Sequence, residues 1–342
     1  MRRHEEAGVT AAVARARGGR AVGWAFVAVS LGFVAVLLMR QGGDLPRLRT
    51  DLESFGWTLS PGWLAAALVV GTANLFLMGW VWVLLFRSLG GRVGAGEGIR
   101  VWMTTNLGRY IPGKIWQLSG LAMYMRQRRG AGAAALTAAG LFQALVLGTG
   151  AAVATATLGG VFLADGALVP TVILLGMLLV VFLQPSIASR ISTALARRFG
   201  ESAPDAPPNR GTLWAAATGL VAAWLINGLG LWFVWRGAGG AVEPGPLTMT
   251  GVYAAAYVVG YLVLFAPGGL VVREGAMAAL LAATAGVPVS VGAAVAILAR
   301  LWTTATELLA VAIVWGWNAA RKEPSASGER AEQIGNEDRG ET

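Results

Sequence analysis

The segment from Arg100 to Gly130 limits what this chain can fold into more than any other. Its centre, Asn106-Leu107-Gly108-Arg109-Tyr110-Ile111-Pro112-Gly113-Lys114, is too polar for a simple membrane span. Yet the rest of the chain is built from runs of about 20 apolar residues, the length of a membrane-crossing helix. Pro112 disfavours helical backbone at Ile111 and removes one donor, and Gly113 is free to turn. Broken backbone at membrane depth persists only where protein or a water-filled cavity satisfies its polar groups. The segment therefore reads as two short helical arms around a Pro-Gly break, with Arg109 and Lys114 beside it.

Composition gives those arms their setting. Of 342 residues, 56% are hydrophobic and only 13% charged, which a soluble chain of this length would not show. With no cysteine there is neither a disulfide framework nor a thiolate metal site. The single histidine, His4, lies in a polar N-terminal arm, so Ser-His and His-metal chemistry are not expected, and no metal or cofactor is predicted. A net charge of +9 raises the question of nucleic acid. The Lys and Arg residues flank apolar runs, however, as positive-inside topology and contact with anionic headgroups require, and no nucleic-acid module is present.

Taken in order, residues 1–20 form a cytoplasmic arm with five arginines and two glutamates. The apolar run 21–39 reads as an uncleaved first span rather than a signal peptide. Residues 40–60 are a mixed-charge loop. A second span, about 62–86, ends at Arg87, and Arg87, Arg92 and Arg100 mark a return to the cytoplasm. The Pro-Gly hairpin closes with Arg126, Arg128 and Arg129, so both its ends belong on that side. Spans at 132–158 and 167–186 lead to a basic loop holding Arg190, Arg197, Arg198 and Arg210. A fifth span, 212–235, precedes a second interrupted stretch, 248–286, broken at Ala266-Pro267-Gly268-Gly269. The last span is 289–318, and 321–342 is a disordered cytoplasmic tail. The expected location is the cell membrane, multi-pass, with both termini cytoplasmic.

The two interrupted segments share a pattern. Pro112-Gly113 is followed by Gly120, and Pro267-Gly268, 155 residues on, by Gly275 at the same spacing. The flanking spans recur at similar offsets. An odd number of crossings per half turns the second half upside down, and inverted repeats with broken helices are a transporter signature. The predicted fold is an all-α, polytopic membrane bundle of about eight membrane elements. Its two inverted halves, 21–160 and 161–320, would each carry a broken or re-entrant Pro-Gly helix. The competing reading, Pro-Gly kinks inside ordinary spans, gives eight full crossings instead.

An ionisable group at the bilayer centre costs roughly 2.5–3.5 kcal/mol, so each one there needs a reason. The candidates are Arg109, Lys114, Arg273, Glu274, Arg300 and Glu307. Positive charges outnumber negative, and an anionic ligand would supply the missing partner. A lipid phosphate is the membrane-borne anion; Arg holds it in a bidentate fork and Lys adds a point charge. Helix N-termini just after the structural breaks (Pro112 and Gly113; Pro267, Gly268 and Gly269) would aim free N–H groups at the same spot. Tyr110 and Gln117 complete the candidate headgroup-binding set, with interfacial anchoring and interhelical hydrogen bonding as their alternative roles. Arg109 and Lys114 have snorkelling as theirs. Arg273 and Glu274 are neighbours and diverge on a helix, so they do not readily pair with each other. Arg300 and Glu307, seven apart, share one inward helical face and read as partners of the hairpins as well as candidate ligands.

Gly108-Arg109-Tyr110-Ile111-Pro112-Gly113-Lys114-Ile115-Trp116, followed by Pro267-Gly268-Gly269-Leu270-Val271-Val272-Arg273-Glu274-Gly275, resembles the lysylphosphatidylglycerol synthase transmembrane-region family, whose members are also called flippase-like domain proteins. That family usually has Gly-Val-Arg-Glu in the second motif; here Val271 stands where the glycine is expected. The resemblance covers roughly residues 20–320 and implies a bundle that binds or moves lipid headgroups, with Arg109, Lys114, Arg273 and Glu274 at motif positions. Synthase members carry a soluble aminoacyl-transferase domain after the membrane part. The resemblance does not reach such a domain, so aminoacylation is not implied.

The expected function is that of an integral membrane lipid translocase, flippase-like rather than enzymatic. It would bind an anionic phospholipid or polyprenyl-phosphate headgroup in a cavity between the inverted halves. Two other readings stand beside it. One is a non-transporting membrane partner of a lipid or glycolipid synthase. The other is a membrane enzyme acting on a lipid-linked substrate with Glu274 as base, against which no Asp-x-Asp pair, usable histidine or nucleotide loop is present.

Overall fold

A computed structural model describes residues 45–110, 115–165, 176, 183–202, 208–239, 244–262 and 271–320; among them there is helix and short connection but no strand. The elements are α1 (Leu45–Phe55), α2 (Pro61–Ser88), α3 (Ala95–Asn106) with a 3-10 turn (Leu107–Tyr110), α4 (Ile115–Arg129), α5 (Gly132–Asp165), α6 (Pro185–Phe199), α7 (Arg210–Gly237), α8 (Pro246–Leu262), α9 (Val272–Ala285) and α10 (Val289–Ala320). The arm 1–20, the span at 21–39, most of the span at 167–186 and the tail 321–342 lie outside the described residues.

Among the described residues, four helical stretches are long and apolar enough to cross a membrane: Pro61–Ser88, Gly132–Gly159, Arg210–Gly237 and Val289–Trp317. At 1.5 Å per residue each exceeds the hydrocarbon core of about 30 Å. Large apolar side chains such as Val69, Trp80, Leu225, Leu301 and Leu308 point outward from them, as lipid-facing residues must. The chain is a multi-pass membrane bundle.

Two stretches expected as loops are helices. Residues 185–199 carry Ala188, Ser192 and Ala196 on one buried face, packed on α5, with Arg190, Arg197 and Arg198 exposed on the other. Gly200, at φ +66°, closes that helix in the left-handed conformation. Residues 45–55 pack on α10, and Phe55 meets Trp235 edge-on at 5.0 Å. In both, one stripe of small or apolar residues at helical period outweighed the charge density that suggested a loop.

The interrupted segments form helical hairpins whose arms are too short to cross alone. Glu97, in the first turn of α3, pairs with Arg129 at the end of α4 at 2.7 Å. The first hairpin therefore enters and leaves at one face, that of the α2 C-terminus. Here too Glu201 accepts from the Gly132 and Ala133 amides at the start of α5. Arg87, Arg92, Arg126, Arg128, Arg129, Arg197, Arg198 and Arg210 make this the arginine-rich face. The second hairpin is set the other way up. Gly251, near the start of α8, lies against Thr157 and Leu158 at the far end of α5, and Ser290, just after α9, donates to Asp51 of α1 at 2.6 Å.

The halves are inverted. The equivalent spans α2 and α7 run antiparallel: Thr58 and Ser60 donate to the Ala238 and Gly237 carbonyls at 3.0 and 2.8 Å at one end, and Gly219 meets Val81 towards the other. Neighbour relations repeat as well. α2, α3, α4 and α5 pack in succession, as do α7, α8, α9 and α10. α10 crosses to α2 and α3 as α5 crosses to α7 and α8, and α1 rests on α10 as α6 rests on α5.

Candidate functional site

A hollow lined by both polar and apolar side chains lies where the halves meet. It is lined by Gly71, Asn74 and Met78 of α2, Val146 of α5, Trp224 and Asn227 of α7, Tyr253 and Tyr257 of α8, Arg273 of α9, and Thr303, Thr306 and Glu307 of α10. Small residues let the helices close round it. A Cβ on Gly71 would stand 2.6 Å from the Thr306 methyl, and one on Gly260 would stand 2.7 Å from the Arg273 Cβ. Indole N–H groups tie the walls: Trp224 donates to Thr149 at 3.1 Å, and Trp302 donates to the Ala67 carbonyl at 2.8 Å.

Arg273 is the cation of this hollow. Its residue is 8% exposed, and its guanidinium lies over the rings of Tyr253 (4.8 Å) and Tyr257 (5.6 Å). It stands in the first turn of α9, where the helix dipole disfavours positive charge, so the two ring faces offset part of an unfavourable placement. Glu274, one residue on and 4% exposed, turns to α10 and pairs with Arg300 at 3.6 Å. The neighbours diverge as helix geometry requires. Glu307, also 4% exposed, faces the hollow from two turns further along α10. Asn74 is 1% exposed, and its side-chain carbonyl has no hydrogen-bond partner.

Arg109 and Tyr110 end the 3-10 turn that closes α3. Gln117 donates to Asn106 at 2.8 Å and so joins the two arms of the first hairpin near its tip. Among the described residues, none from α3 or α4 lines the hollow. Lys114, with the breaks Pro112, Gly113, Pro267, Gly268 and Gly269, lies outside the described residues. The structure thus brings Arg273 and Glu307 to one hollow and couples Glu274 to Arg300 behind it. Tyr253, Tyr257, Asn74 and Trp224 were not singled out from the sequence. Tyr253, Tyr257 and Tyr261 recur every fourth residue on an otherwise small-residue helix, and Asn74 is a lone amide in an apolar span; both signals were there to be read.

The hollow measures about 50 Å³, room for a few waters, whereas small-molecule pockets run to roughly 300–1,000 Å³. A headgroup would enter only if the halves part. Arg273 stands where the two halves meet in this hollow, on a helix that packs chiefly on α8 and α10 among the described residues.

The family model described as lysylphosphatidylglycerol synthase TM region matches residues 22–310. No curated protein matches the chain.

Proposed function

This chain belongs to the lysylphosphatidylglycerol synthase TM-region family, a membrane domain linked to lipid handling, and on that premise we propose that it is a lipid translocase. Its substrate is a lipid with an anionic headgroup, a phospholipid or a polyprenyl phosphate. The headgroup phosphate passes through the hollow between the halves and is held there by Arg273, whose planar fork suits two phosphate oxygens. Arg109 and Lys114, which flank Pro112-Gly113 in the sequence, meet the same phosphate earlier or later on its path. Orientation follows the positive-inside rule, with the arginine-rich face in the cytoplasm.

One observation carries this reading: a buried arginine lines a hollow at the interface of two inverted repeats, over two aromatic faces and in the helix turn least suited to a cation. Glu307 in the same hollow keeps it near neutral until a phosphate arrives. The test is headgroup translocation in vesicles reconstituted with the full chain and a labelled phosphatidylglycerol. Arg273→Ala is expected to cut the rate by at least about tenfold, and Arg273→Lys by less, since it keeps charge but not the fork. A wild-type rate in Arg273→Ala rejects the assignment. Absence of translocation in the wild-type chain favours the non-transporting partner of a synthase.

A further inference from the structure

A second hollow, a groove of about 350 Å³, opens on the flank of the bundle between α2, α3 and α10 and shares no lining residue with the central one. Phe76, Ile99, Ile313, Val314 and Trp317 form its apolar surface, and Arg100 lines it beside them. Ile313 and Trp317 are 42% and 63% exposed, so the groove is open to its surroundings rather than sealed. It lies at the arginine-rich end, between the opening turns of α3 and the closing turns of α10. Two charged residues line it, and they are not equivalent. Glu97 is taken up by Arg129 at 2.7 Å, whereas Arg100 makes no ion pair among the described residues.

An apolar trough with an uncompensated cation in its lining matches a molecule with an acyl chain and a negative headgroup. We propose that this groove holds one anionic phospholipid of the adjoining leaflet, its phosphate at Arg100 and an acyl chain along Phe76, Ile313 and Val314. The assignment rests on the lipid-handling reading of the chain and extends it to a berth at the flank. α10 links the berth to the interior. Thr303, Thr306 and Glu307 face the central hollow, and Ile313, Val314 and Trp317 continue the same helical stripe into the groove, with only buried Ala310 between. A lipid seated here stands at the lateral entrance to the seam between α2 and α10.

The experiment is native mass spectrometry of the full chain released from nanodiscs of equal phosphatidylglycerol and phosphatidylcholine. The wild type is expected to retain one phosphatidylglycerol in preference to phosphatidylcholine. Arg100→Gln, which removes the charge, and Val314→Trp, which fills the trough, each reduce that retention about tenfold, while Arg190→Gln on the exposed face of α6 leaves it unchanged. Equal retention of both lipids, unchanged retention in Arg100→Gln, or an equal loss in Arg190→Gln overturns the berth and leaves only diffuse attraction to the arginine-rich surface. Retention is read independently of translocation. A chain that keeps the lipid but does not translocate it rejects the proposed function and not the berth, and the reverse result rejects the berth alone.

Discussion

The hairpins α3–α4 and α8–α9 occupy equivalent places in the repeat, yet their described side chains handle charge differently. In the first, the ion pair Arg129–Glu97 sits at the open end, with side chains 45% and 24% exposed, and near the tip the arms are joined by a neutral bond, Gln117 to Asn106. In the second, Arg273 and Glu274 stand at the inner end of α9, 8% and 4% exposed. Water screens the first pair and leaves it little to contribute. The second has no such shield, so its charges are held by Arg300 and two tyrosine rings. The repeat preserved the backbone path and let the electrostatics diverge: one hairpin is anchored at the interface, the other carries charge inward.

Breaking each ion pair is the sharpest way to attack that contrast. Glu274→Ala or Arg300→Ala is expected to lower stability by about 3–5 kcal/mol, since each strands a buried charge, whereas Arg129→Ala changes it by about 0–1 kcal/mol. Unfolding titrations in mixed micelles would read both, and equal losses would abolish the distinction. Replacing Glu274 and Arg300 together by leucine should restore most of the loss. A smaller effect separates two glycines. A methyl group at Gly260 meets the Arg273 Cβ, so Gly260→Ala should cost about 1–3 kcal/mol and slow any transport that depends on Arg273. Gly120→Ala, with its nearest neighbour at 3.6 Å, should be neutral or gain up to about 1 kcal/mol. The smallest effect is a gain. Val271, the residue before α9, has φ +74°, a conformation foreign to a β-branched side chain, at the position where the family motif has glycine. Val271→Gly should relieve strain and raise stability by about 1 kcal/mol, seen as a higher midpoint of thermal unfolding in detergent.

The large elements could be read from the chain because they depend on local quantities. Run length marks α2, α5, α7 and α10; the Pro-Gly breaks and their basic flanks mark the hairpins; an offset of 155 residues marks the repeat. Where a decision rested on charge alone, as at 45–55 and 185–199, it went wrong, because exposed arginines sit as well on one face of an interfacial helix as in a loop. In the site, Arg273, Glu274, Arg300 and Glu307 stood out because charge in an apolar run is rare. Their partners did not. The pairing of Glu274 with Arg300 and the stacking of Arg273 on Tyr253 come from the crossing of α8, α9 and α10, and no spacing along the chain encodes that crossing.

At the end where α2 begins and α7 finishes, Thr58 and Ser60 are tied to Ala238 and Gly237 by main-chain bonds. Gly239 turns there at φ +83°, and a side chain on it would strike Thr58. No pair of backbone bonds joins the two helices at the arginine-rich end among the described residues. The two helices are thus tied through main chain at one end and held by side-chain packing, Gly219 against Val81, towards the other. If the proposed translocase parts these two helices, the end beside Arg87 and Arg210 is the one that main-chain bonds do not tie.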